Sequence, residues 1–77
     1  VTKSAFSRRH QQLRTLLADA RNRQGVTQVV LAKRLGKPQS FVSKFEGGER
    51  RLDVIEFLDV AEALGVDPIR LLSSLRR

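Results

Sequence analysis

Apolar residues recur along this chain at intervals of three and four, and no segment alternates strictly between apolar and polar. That period predicts helices and argues against strands. Leu13, Leu16, Leu17 and Ala20 form a first stripe, which Phe6 and the stem of His10 extend upstream, so a helix is expected over Ser7–Arg23. Gln24-Gly25-Val26 breaks it, with Gly25 suited to a left-handed C′ position. Thr27 is the expected N-cap of a second helix, with Leu31, Ala32 and Leu35 inward and Gly36 at its end. Pro38, placed at the first helical position, opens a third helix over 38–46 that Gly47-Gly48 stops. Asp53 with Glu56 makes a capping-box pattern for a fourth helix, Val54–Leu64, with Phe57, Leu58, Ala61 and Leu64 as its core face. Asp67-Pro68 starts a last helix, Pro68–Leu75, with Ile69 and Leu72 turned inward and Leu75 a candidate for the same face. Five short helices on brief connections predict one compact all-α domain over residues 1–77, with residues 1–6 a flexible N-terminal arm.

Charge sharpens this picture. The net charge is +7 over 77 residues. Residues 1–45 carry ten Lys/Arg against Asp19 alone, while residues 46–77 carry five against seven acids. A strongly basic half joined to a mildly acidic half orients the field and aims one end at a polyanion. There are no cysteines, so neither a disulfide nor a thiolate metal site is available, which suits a reducing cytoplasm. No apolar run reaches membrane-spanning length and no signal-peptide h-region stands at the N-terminus, so no membrane association is expected. A lone His10 builds no metal site, and no cofactor is implied. The aromatic residues are four Phe, a thin supply for a single-strand stacking platform.

The third helix has two unlike faces. Val42, Phe45 and Glu46 point one way; Gln39, Ser40, Ser43 and Lys44 point the other. Amide, hydroxyl and ammonium groups on an exposed stripe have the chemistry that reads base edges in a major groove. Gln39 suits adenine N6 and N7, unless it is an ordinary solvated glutamine at a helix start. Ser40 and Ser43 serve bases, phosphates or water alike, and Lys44 reaches either guanine or a phosphate. Phe41, between the faces, either packs against the fourth helix or meets a thymine methyl.

The order Gly25-Val-Thr-Gln28, Leu31-Ala32, Leu35-Gly36, Val42-Ser43-Lys44-Phe45-Glu46-Gly47, Glu49-Arg50, Leu64-Gly65-Val66-Asp67 resembles the lambda-repressor-like helix-turn-helix domains of the XRE family. Phage repressors, Cro proteins, restriction-modification controller proteins and several antitoxins belong to that family. The resemblance runs from about Leu13 to Leu75 and implies a five-helix fold with the helix-turn-helix at helices two and three. It implies base contacts from Gln39, Ser40, Ser43 and Lys44 in the major groove. Gln28 matches a phosphate-contacting glutamine, and Lys37, Arg50 and Arg51 are expected along the phosphate backbone. Arg21 and Glu46 match positions that pair as a salt bridge, and an inward Glu46 needs such a partner. Arg8, Arg9 and Arg14 are weaker contact candidates, since basic residues on a first helix often face water. The chain departs from the family pattern at Val30, which leaves the second helix without a reciprocal cap and with an exposed-looking Val29-Val30 pair.

These readings converge on a sequence-specific regulator, a repressor acting on double-stranded DNA as a homodimer at an inverted repeat. Ile55, Val60, Leu71 and Leu75 look like apolar residues left over after the core is filled, and so mark the dimer interface. The alternative is an antitoxin-like module whose main partner is another protein, to which Val29-Val30 and the last helix's leucines would contribute. An enzyme is not expected: the first 45 residues offer one acid, Asp19, and no metal cluster or positioned base.

Overall fold

Four of the five helices begin at a residue whose side chain accepts from a first-turn N–H. The computed structural model describes residues 7–76, and the expected arm over 1–6 lies outside the described residues. Helix α1 (Arg8–Arg23) starts at Ser7, whose hydroxyl accepts from the His10 N–H at 3.0 Å. Helix α2 (Gln28–Leu35) is capped by Thr27, which accepts from the Val30 N–H at 3.1 Å; valine offers no reciprocal group. Helix α3 (Gln39–Gly47) is preceded by Pro38. Pro38 is the cap and not the first helical residue: its ψ of 156° is extended, and no side-chain cap bond replaces the missing donor. Helix α4 (Val54–Leu64) carries the complete capping box of Asp53 and Glu56. Helix α5 (Pro68–Ser73) opens on Asp67, which accepts from the Ile69 N–H at 2.9 Å, and stops two residues short of the expected Leu75.

Among the described residues every regular element is a helix. Leu17 and Ala20 of α1, Val26 of the connection after it, Leu31 and Ala32 of α2, Phe41, Val42 and Phe45 of α3, and Phe57, Val60, Ala61 and Leu64 of α4 are buried together. Phe41 and Phe45 meet edge to face, centroids 5.6 Å apart, inside this core. Helix α3 packs on α1 and α2, whereas α4 packs on α1, α2 and α5.

Six residues of α4, α5 and the segment after it are placed otherwise than expected. Val60, expected at a dimer interface, is 0% exposed, because Phe57, Val60, Ala61 and Leu64 are the set spaced i, i+3, i+4, i+7 that meets the core. Leu58, expected in the core, lies outside that set and is exposed. Ile69 and Leu72, expected inward, face out, while Leu71 packs against the core instead of standing free for an interface. No residue of this six-residue helix is fully buried, and Leu71 is the one that packs against the core. Leu75 is half-buried beside Leu16 of α1 rather than spare, whereas Ile55 is 65% exposed.

Candidate nucleic-acid interface

Helices α2 and α3 are joined by Gly36-Lys37-Pro38. Gly36 adopts φ 69°, a left-handed conformation that glycine reaches without strain. Its N–H bonds the Lys33 carbonyl at 3.1 Å and that of Lys37 the Ala32 carbonyl at 3.0 Å, which closes α2 and turns the chain into α3. Three apolar side chains, Phe41, Val42 and Phe45, anchor α3 in the core. Gln39, Ser40, Ser43 and Lys44 are thereby left exposed together on its outer face.

A chain of polar contacts runs from α1 to the start of α3. Arg21 donates from Nε and Nη2 to the two carboxylate oxygens of Glu46, at 2.7 and 2.9 Å, and from Nη1 to the Val26 carbonyl at 2.8 Å. The structure thus brings Arg21 and Glu46 together as a two-pronged pair, with side chains 12% and 9% exposed. Glu46 also accepts from Gln28 Nε2 at 3.0 Å, and Gln28 Oε1 accepts from Gln39 Nε2 at 3.4 Å. An ionised carboxylate only accepts, so Gln28 must offer it the amide nitrogen and turn its oxygen toward Gln39. Gln39 answers with its own nitrogen and keeps one N–H and its carbonyl oxygen free. One donor beside one acceptor is the pattern that adenine N7 and N6 require.

The basic residues divide. Lys37 and Arg51 are exposed. Arg50, expected beside Arg51 on the phosphates, is engaged within the chain: it donates to both Glu56 oxygens, at 2.8 and 2.7 Å, and to the Arg51 carbonyl at 2.8 Å. Its guanidinium lies 4.7 Å from the centroid of the Phe41 ring, and Lys37 Nζ lies 5.5 Å from the same centroid. The Arg50 hydrogen bonds hold the Glu56 carboxyl down to about 2, helped by the Asp53 N–H and the charges of Arg50 and Lys37. Phe41 is buried and forms the platform for these cations, a role its sequence position did not suggest.

Two further cations are placed in ways the sequence reading missed. Arg34 donates to the Ala63 carbonyl at 3.0 Å and so ties α2 to the end of α4. Arg14 lays its guanidinium against Gly48: a Cβ on Gly48 would stand 2.5 Å from Arg14 Nη1. Gly48 also has φ 86°, a left-handed conformation that strains any side chain, and a Cβ there would displace the Arg14 guanidinium. The only sequence signal was the glycine itself. Among the described residues no cluster of His, Cys, Asp or Glu is arranged to hold a metal ion, and no helix is long and apolar enough to cross a membrane.

Comparison with known proteins agrees with this geometry. Residues 17–71 match the model of a helix-turn-helix family. An XRE-family like protein from Pseudomonas syringae pv. tomato str. DC3000 is 60% identical, with a TM-score of 0.84 over 87% of this chain and 82% of that one. The restriction-modification controller protein C.AhdI from Aeromonas hydrophila is 29% identical, with a TM-score of 0.74 over 80% of this chain and 94% of that one. A point mutant of the controller protein C.Esp1396I shares the fold at 22% identity, with a TM-score of 0.81 over 90% and 87% of the two chains. No curated protein matches the chain. The chain belongs to the XRE-type helix-turn-helix family, and is a DNA-binding transcription regulator of that family.

Proposed function

We propose that this protein is a repressor that binds an inverted repeat in double-stranded DNA as a homodimer, with α3 in the major groove. The observation that carries this reading is the Gln39 amide, held by Gln28 with one donor and one acceptor free on an exposed helix start. In this reading Gln39 reads adenine, and Ser40, Ser43 and Lys44 complete the base-facing surface. Lys37, Arg51 and the remaining amide proton of Gln28 anchor the backbone phosphates. Arg50 is reassigned to holding the loop, since its fork is taken by Glu56.

One recognition helix covers too few base pairs to select a genomic site. Pairing two copies doubles the readout and sets half-sites about one helical turn, ~34 Å, apart. The apolar surface available for pairing is Val54, Ile55 and Leu58 of α4 with Ile69 and Leu72 of α5, which keeps Ile55 alone of the surface expected from sequence. Repression follows by occupying DNA that polymerase needs. A second reading, a module for another protein, rests on Val29 and Val30, which are 47% and 40% exposed on α2. A stable one-to-one complex with an unrelated protein would favour it.

Two substitutions test the division of labour. Gln39→Ala changes the preferred base at one position of each half-site, a loss of about 1–3 kcal/mol in discrimination. Arg51→Ala weakens every duplex alike and lowers the salt slope by about one phosphate contact. Identical behaviour of the two variants on matched and mismatched sites would contradict the assignment.

A further inference from the structure

The proposed recognition helix and the helix offered for pairing share one core, where Phe41, Val42 and Phe45 of α3 lie in a cluster with Phe57, Val60 and Leu64 of α4. Helix α3 rests on α1 and α2, and α4 rests on α1, α2 and α5. Outside that core the connection over residues 48–53 joins the two, and Arg50 organises it. Its guanidinium covers the Phe41 ring of α3, grips both oxygens of Glu56 on the first turn of α4, and holds the Arg51 carbonyl between them. Glu56 meanwhile accepts from the Asp53 N–H at 3.0 Å, so the same carboxylate closes the α4 cap. Val54 and Ile55, 72% and 65% exposed, stand on that same first turn.

We propose that the Phe41–Arg50–Glu56 clamp fixes the recognition helix relative to the pairing face of α4, and so makes Arg50 a positioning residue that determines the half-site spacing the dimer accepts. The inference rests on the homodimer reading above. A planar guanidinium that forks onto a carboxylate while lying on a ring resists rotation about both contacts, which a point charge on a flexible stem does not. With the clamp intact, the two recognition helices of a dimer meet the grooves at one separation. With it broken, the loop lets each α3 shift against its α4, and operators of neighbouring spacing become acceptable.

The test uses Arg50→Lys and Glu56→Gln in the full chain. Lysine keeps the charge but loses the fork. Glutamine keeps an oxygen for the Asp53 N–H, so the α4 cap survives while the charge is removed. Binding is measured to the protein's selected inverted repeat, to the same repeat with one base pair added or removed between half-sites, and to a single half-site. The wild type discriminates against the altered spacings. Both variants are expected to lose about tenfold of that discrimination, with base preference within the half-site unchanged. Wild-type spacing discrimination in both variants overturns the proposal. So does near-wild-type behaviour of Arg50→Lys together with tighter, more salt-sensitive binding by Glu56→Gln, since Arg50 would then be a phosphate anchor that Glu56 masks. A wild type that pairs with no inverted repeat overturns the homodimer reading itself, an outcome visible before either variant is made.

Discussion

At the scale of single residues, the Arg21–Glu46 pair carries the most structural consequence. Three donors of Arg21 are used, and one carboxylate serves both Arg21 and Gln28. Arg21→Leu leaves Glu46 with Gln28 alone in a mostly enclosed site. Breaking a buried pair costs roughly 3–5 kcal/mol, and the residual water access places this one toward the lower end. Urea unfolding at neutral pH measures it; a loss under about 1 kcal/mol would class the pair with ordinary surface bridges. This pair was legible in the sequence, because an acid on the inward side of α3 demands a cation and the family pattern names Arg21. The Arg50–Glu56 pair was not. Two adjacent arginines after a glycine turn read as phosphate contacts, and a partner six residues away across a loop leaves no periodic trace.

At the scale of elements, the starts and stops of the helices were legible, since Ser7, Thr27, Asp53, Asp67 and the glycines act locally. The inner faces of α4 and α5 were not. Apolar residues occur on every side of α4, so the pattern alone permits either Leu58 or Val60 to face inward, and only packing against the other helices selects Val60. The start of α4 also yields a pH prediction. Glu56 is held at about 2, below its ordinary 4.5, so the stability it contributes is present in full above about 4.5 and is lost as pH falls toward 2. Thermal unfolding of the wild type and Glu56→Gln, compared from neutral pH down to about 2, follows this directly. The wild-type advantage should shrink across that interval. A constant difference over the whole range would mean that the Glu56 charge does not act through Arg50 and the Asp53 cap.

At the scale of the whole molecule, the charge asymmetry and the fold act together. The basic half of the chain supplies α1, α2 and the exposed face of α3, and the acidic half supplies α4 and α5 with their apolar surface. On the proposed reading, phosphate contacts from the basic side dominate affinity and make it fall steeply with salt, while Gln39 and its neighbours choose the sequence. The central claim is that two copies read an inverted repeat. It is tested most directly by selection from a random duplex pool at about 150 mM salt, where non-specific binding is already weak. The account predicts enrichment of an inverted repeat, with an adenine in each half-site whose selection depends on Gln39. Enrichment of no sequence by the folded protein, or of an isolated half-site alone, would contradict it.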